Sequence, residues 1–102
     1  MARLVLTELA DGDLAVIANY LASEAGIAVA ERYVAAFDDL LSKLIDFPGI
    51  GTRRPALGDD VRIGVVSPYI VIYAFDASAD VITVLRVIHG RRDITRKLIG
   101  GR

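Results

Sequence analysis

Apolar positions along the 102-residue chain change their spacing twice. Residues 3–7, Arg-Leu-Val-Leu-Thr, form a short apolar run that predicts a first strand. The spacing then becomes helical: Ala10, Leu14, Ile17 and Leu21 recur at i, i+4, i+7 and i+11 on one face. Thr7 stands where its hydroxyl can accept an orphan N–H of the first helical turn. Glu8, Asp11 and Asp13 follow near the positive end of the helix dipole. Gly12 weakens this helix by up to ~1 kcal/mol relative to alanine, and Gly26 ends it. A second helix is predicted over residues 28–46. Its stripe is Val29, Tyr33, Phe37, Leu40, Leu41 and Leu44, with Glu31, Asp38, Asp39 and Lys43 facing outward. The short link at Gly26 makes the two helices an antiparallel hairpin.

Phe47-Pro48-Gly49 stops the second helix, and residues 49–60 read as a loop. There Gly49, Gly51, Pro55 and Gly58 surround Arg53-Arg54. Strands are predicted over 61–66, 69–75 and 81–89, joined by a tight turn at Ser67-Pro68 and a five-residue loop over 76–80. The run 69–75 is apolar on both faces, which places it in the middle of the sheet. Gly90 breaks the last strand, and residues 91–99 form a short helix or tail. The order is β-α-α-β-β-β. The expectation is an α+β fold in one domain spanning residues 1–102, a helix hairpin packed on a small antiparallel sheet.

Composition sharpens this picture at three points. The hydrophobic fraction is 54%, above the roughly 45–50% of ordinary soluble domains, and mean hydropathy is +0.47. So apolar a chain of this length suggests that a partner covers part of its surface. There is no cysteine, which excludes a disulfide framework, a thiolate metal site and a cysteine nucleophile. The formal net charge of −1 hides an asymmetry: residues 1–50 carry three basic and eight acidic side chains, residues 51–102 nine basic and five acidic. A basic half of this kind can point to an anionic partner. The N-terminus lacks the apolar core of a signal peptide. The apolar run from Ile63 to Phe75 falls short of the ~20 residues of a membrane span. The expectation is a cytoplasmic protein without membrane attachment.

Few residues offer chemistry. His89 is the only histidine, so no His-based metal site or pair exists. Ser23, Ser42, Ser67 and Ser78 lack a nucleophile-elbow context. Gly49-Ile50-Gly51 follows a helix and not a strand, unlike a phosphate-cradling loop. Asp38-Asp39 and Asp59-Asp60 read as a solvated helix face and a turn. No catalytic residue and no cofactor is assigned. Tyr33, Tyr69 and Tyr73 sit on apolar faces and read as core; His89 reads as a hydrogen-bonded strand end. Arg86 interrupts a strand of Val, Ile and Leu. Its guanidinium needs a partner, for which Asp59, Asp60 and Asp93 are candidates, or must reach the exposed side.

The order of elements resembles the ParE toxins of the ParE/RelE superfamily, which belongs to type II toxin–antitoxin systems. So do the segment Ala30-Glu31-Arg32-Tyr33, the loop Pro48-Gly49-Ile50-Gly51-Thr52-Arg53, the strand Tyr69-Ile70-Val71-Ile72-Tyr73 and the ending Val87-Ile88-His89-Gly90-Arg91-Arg92-Asp93. The resemblance implies one of two activities. RelE-like members cut mRNA on the ribosome with a cluster of Lys, Arg and Tyr; ParE-like members inhibit DNA gyrase by direct binding. Matched strand for strand, the nuclease cluster falls on Arg62, Gly64, Ile70, the neighbourhood of His89 and Thr95, and only the charge at Arg62 is kept. The expectation is a gyrase inhibitor, not an enzyme. The alternatives are a RelE-type endoribonuclease and a non-toxic module that binds antitoxin. The resemblance further implies an antitoxin that folds along the helix hairpin and sheet in a hetero-oligomer, with no sequence-specific DNA binding by this chain alone. Leu14, Ile17, Leu21, Val34 and Phe37 are the candidate antitoxin contacts. Charge, rather than a motif, marks Arg53, Arg54, Arg62, Arg86, His89, Arg91 and Arg92 as candidates for the target-facing surface.

Overall fold

The structure is a computed structural model that describes residues 1–92, 94–95 and 97–100. The elements are β1 (Arg3–Leu6), α1 (Glu8–Ala25), α2 (Ile27–Asp46), β2 (Thr52–Arg53), β3 (Val61–Val66), β4 (Tyr69–Asp76) and β5 (Val81–His89). Thr7 caps α1 as its sequence predicts, its hydroxyl accepting the Ala10 N–H at 3.1 Å. Gly26 separates the helices at a φ of 98°, a backbone conformation that glycine adopts without a Cβ clash.

The strands form one sheet in the order β1-β5-β4-β3-β2. β4 lies at its centre and is buried from Tyr69 to Ala74. The sheet is antiparallel except at β1, which runs parallel to β5. The long connection between them, through the hairpin and the meander, lets the chain return in the same direction. Residues 52–53, expected as loop, add a two-residue edge strand in which Arg53 lies opposite Arg62. No side-chain alternation announces a strand this short, because its pairing is made by the backbone.

Both faces of the sheet are covered. Tyr69, Val71, Tyr73, Ile82, Val84 and Val87 meet the hairpin through Ala10, Phe37 and Leu44. On the opposite face Ile70, Ile72, Leu85 and Ile88 pack with Leu57 of the loop and with Ile94, Leu98 and Ile99 of the C-terminal segment. That segment is neither a helix nor a free tail over its described residues: it is a cover for the second face. A bulge sets the division. Ile72 lies opposite Arg86 and Tyr73 opposite Val84, so Leu85 is an extra residue in β5. Strand alternation is offset there, which lets Val84 and Val87 both face the helices while Leu85 and Ile88 face the other way.

The chain leaving α2 is pinned by β3 and β4. The fully buried Tyr73 hydroxyl donates to Pro48 O at 2.8 Å and accepts from Gly51 N at 2.9 Å. Arg62 donates from Nη1 to Gly49 O at 3.1 Å and Gly51 O at 2.9 Å. A Cβ on Gly51 would stand 2.5 Å from the Tyr73 hydroxyl and 2.6 Å from Ile63 O, so only glycine fits.

Two outcomes follow for stability. Tyr73→Phe leaves Pro48 O and Gly51 N unpaired and costs about 1–3 kcal/mol in urea unfolding; Gly51→Ala costs a similar amount through overpacking. Burial raises the Tyr73 pKa above its ordinary value of 10.0, against the opposing hydrogen bond to Gly51 and the nearby Arg62 charge. The folded state therefore holds this proton more tightly than the unfolded chain. Its contribution is full below about pH 10 and is lost as pH rises through the folded pKa. Tyr69, raised by burial and by Tyr33 and Tyr20, acts in the same sense. Tyr73→Phe should flatten the alkaline limb of a stability–pH curve.

Candidate protein-interaction site

α1 and α2 meet the sheet along one side and leave a groove between their outer flanks. Leu14, Ile17 and Leu21 of α1 and Val34 and Phe37 of α2, the five candidate antitoxin contacts, all line it, together with Tyr33. Phe37 is 4% exposed and forms part of the core, whereas Val34 is 45% exposed at the rim. The arrangement follows from α1 being apolar around much of its circumference. One stripe reaches the sheet, and the remainder cannot be buried by a single neighbour. Tyr33 stands edge-on to Tyr69, with ring centroids 5.8 Å apart.

The arginines do not form one surface. Arg86 is the clearest departure from the expected target-facing set. Its Nε and Nη2 donate to the two carboxylate oxygens of Asp13 at 2.7 and 2.9 Å, and its Nη1 donates to Leu98 O at 2.8 Å. Both side chains of this ion pair are largely buried, at 13% and 16% exposure. The hydrogen bonds that Arg86 donates to Asp13 raise the Arg86 pKa further, against desolvation and with help from the Asp13 charge. Its carboxylate therefore comes from α1, 73 residues away in sequence, and not from Asp59 or Asp60; Asp93 lies outside the described residues. A guanidinium so engaged is unavailable to a partner.

The other cations fall into two groups. Arg53 and Arg62 share the β2–β3 edge, with Arg54 following, its N–H bonded to Val61 O. His89, Arg91 and Arg92 lie at the far end of β5. His89 pairs with Tyr69 while Arg62 pairs with Tyr73, four positions or roughly 13 Å along the strand, and two strands across. His89 accepts the Arg91 N–H on Nδ1 at 3.1 Å and stands edge-on to Tyr69. It lies in a cleft with Leu9, Val16, Tyr20, Tyr69 and Arg92. Tyr20, 59% exposed, lies off the Ala10-Leu14-Ile17-Leu21 stripe, so helical spacing gives no signal for this cleft. Asp13 was likewise missed as a partner, since its pairing is set by tertiary structure.

The family model for the ParE toxin of the type II toxin–antitoxin system parDE matches residues 4–94. The chain belongs to the ParE toxin family. Toxin ParE3 of Caulobacter vibrioides is 28% identical to it over 98 residues, 96% of each chain. Among solved structures, the chromosomal ParDE toxin–antitoxin system from P. aeruginosa matches with a TM-score of 0.72 and 22% identity, over 87% of this chain and 96% of that one. The toxin–antitoxin complex RelBE2 from Mycobacterium tuberculosis matches with a TM-score of 0.60 and 19% identity, over 86% and 96%. In this ParE toxin the positions matched to the nuclease cluster diverge. Gly64 lies under α2, where an added Cβ would be 3.0 Å from Leu40, while Ile70 belongs to the core on the opposite face. Among the described residues no helix is long and apolar enough to cross a membrane, and no group of three or more His, Cys, Asp or Glu could hold a metal.

Asp13→Ala and Arg86→Ala should each destabilise the ParE toxin by about 3 kcal/mol, because either leaves a largely buried charge unpaired. The double mutant should lose at least ~1 kcal/mol less than the sum. Urea unfolding of the four proteins checks this; additive losses would mean that the pair is not coupled.

Proposed function

We propose that this ParE toxin inhibits DNA gyrase by direct binding and is neutralised in the cytoplasm by a cognate antitoxin, with which it forms a hetero-oligomer. The observation that carries the reading is the family match over residues 4–94. Two features of the molecule support it. Inhibition by binding needs a surface and no catalytic group, and of the positions matched to the nuclease cluster Gly64 and Ile70 carry no charge and lie on opposite faces of the sheet. The α1–α2 groove also has the chemistry to take the apolar face of a helix: Leu14, Ile17 and Leu21 along one wall, Val34 and Tyr33 along the other. A disordered antitoxin segment that folds into this groove would cover apolar surface on a chain that is 54% hydrophobic. Arg53, Arg54, Arg62, His89, Arg91 and Arg92 remain the candidate target-facing residues, now in two groups.

With purified gyrase, the protein should block supercoiling and cause cleaved DNA to accumulate. Unchanged supercoiling alongside mRNA cleavage on ribosomes would replace this reading with the RelE-type one, and viability on induction without antitoxin would leave an antitoxin-binding module. Val34→Asp places a charge at the groove rim. It should weaken antitoxin binding by about tenfold or more at unchanged thermal stability, in line with loss of one well-packed interface contact. Calorimetric titration with the antitoxin is the check, and unchanged affinity would move the antitoxin site elsewhere.

A further inference from the structure

β5 outruns its neighbour. β1 ends at Leu6, opposite Val84, whereas β5 continues to His89. Val87 turns its N–H away from β4 and donates it to Asp13 at 2.9 Å. The N–H and C=O of one strand residue point to the same side, and the side alternates from residue to residue. The Val87 C=O and the His89 N–H therefore also face the open side. Gly90, next in the alternation, turns back and donates its N–H to Pro68 O at 2.8 Å. The His89 C=O accepts the Arg92 N–H at 3.0 Å. The Val87 C=O and the His89 N–H bond to no other described residue. This open edge borders the cleft beside α1, where Leu9, Val16 and Tyr20 are 50%, 68% and 59% exposed. Tyr69, His89 and Arg92 line the same cleft at the end of β5.

We propose that this cleft takes an extended segment of the protein target as a short parallel strand on β5. The proposal rests on the reading that the toxin acts by binding a protein target, and it assigns that contact to the cations at the end of β5. The open groups fix the direction. A residue in a parallel strand bonds through its N–H and C=O to two residues that lie two apart on its neighbour. An antiparallel residue exchanges both bonds with a single residue. The Val87 C=O and the His89 N–H form a pair of the first kind, while Asp13 already holds the Val87 N–H and Arg92 the His89 C=O. The guest thus runs in line with β1, itself parallel to β5. Its central residue lies opposite Ile88. The residues on either side, opposite Val87 and His89, turn to the helix face of the sheet, where Val87 and Tyr69 lie. The first faces the exposed apolar flank of α1 and suits an apolar side chain; the second faces the Arg92 end and suits a carboxylate. Glu8, exposed, stands at the opposite end of the cleft from Arg92, which matches a segment whose acidic residue comes last. A nucleic-acid backbone has no N–H for the Val87 C=O, and its phosphates would meet Glu8. The groove proposed for antitoxin lies on the other flank of α1.

The test has two arms. In the supercoiling assay, Val16→Ser and Arg92→Glu should each raise the concentration needed for half-inhibition by about tenfold, the size of one lost apolar or charged contact. Arg32→Glu, exposed on α2, should leave it unchanged. Val16 and Arg92 are exposed, and circular dichroism should show both variants folded as wild type. In the second arm, N-acetyl-Leu-Thr-Glu amide is titrated into the full chain and the His89 backbone amide is followed by NMR. That signal should shift saturably, and the Gln analogue should bind about tenfold more weakly. The analogue N-methylated at Thr cannot donate to Val87 O and should weaken by about tenfold or more. Inhibition by wild type with unchanged potency in both cleft variants overturns the proposal while leaving the gyrase reading intact. Failure of wild type to inhibit gyrase overturns that reading, and the titration then decides the cleft alone. Absence of a saturable shift at His89 overturns the strand, as does equal affinity of the N-methyl analogue. Variants that keep their potency but lose affinity for antitoxin would give the cleft to the antitoxin. A dimeric wild type made monomeric by Val16→Ser would give it to a second copy, and either result overturns the proposal.

Discussion

The carboxylate of Asp13 is the point at which the helices, the sheet and the C-terminal segment are tied together. β1 ends at Leu6, opposite Val84, and beyond it β5 has no strand neighbour on that side. An exposed strand edge leaves backbone groups without partners. The turn into α1 supplies them from side chains. The Thr7 hydroxyl donates to Leu85 O at 2.9 Å, and Asp13 accepts the Val87 N–H at 2.9 Å. Arg86 makes this burial of a carboxylate tolerable, because its fork occupies both oxygens while its remaining nitrogen holds Leu98 O. Shifting α1 would therefore uncover β5 and release the segment that covers the opposite face.

The bulge at Leu85 makes that knot possible and also explains how so apolar a chain folds. An unbroken β5 would place its alternate residues on one face throughout and send Val87 away from the helices. With the extra residue, Val84 and Val87 join the hairpin-side core, and Leu85 and Ile88 join the other. Two apolar sheet faces then need two covers, and the chain provides the helix hairpin for one and the loop with the C-terminal segment for the other. What remains outside both cores includes the groove rim at Val34, the α1 flank at Leu9, Val16 and Tyr20, and Phe47 and Ile50 after α2, besides the scattered Met1, Val5, Ile27 and Val65. The acidic helices and the basic β2–β3 corner lie on different parts of the molecule. That separation suits a protein that meets one partner through its hairpin and another through its sheet edge.

Much of this was legible from residue spacing. The helices follow from their 3.6-residue stripes and from Thr7 and Gly26, and the central place of β4 follows from a run apolar on both faces. Leu14, Ile17, Leu21, Tyr33 and Phe37 of the groove were legible because helical stripes on two antiparallel helices converge, whereas Val34 lies off the second stripe. Tertiary pairing was not legible. Arg86 announced that it needed a partner, but nothing local named Asp13, which reads as one of three acids in the first turns of α1. The parallel pairing of β1 and the two-residue β2 leave no periodic trace. The cations beyond Gly90 and those of the 49–60 loop looked like one basic half, because charge counted along a sequence ignores which strands lie between. Sheet order separated them.

The central physical claim is that Asp13 seals the edge of β5 and, through Arg86, holds the C-terminal segment. Amide hydrogen exchange in wild type and Asp13→Ala measures this residue by residue. The account predicts that the Val87 amide in wild type is protected to nearly the level of β4. In Asp13→Ala, Val87 and the amides of Leu98 and Gly100 should lose protection together while β3 and β4 keep theirs. A Val87 amide that exchanges in wild type as fast as an open loop would contradict it, and so would protection of Leu98 and Gly100 that is indifferent to Asp13.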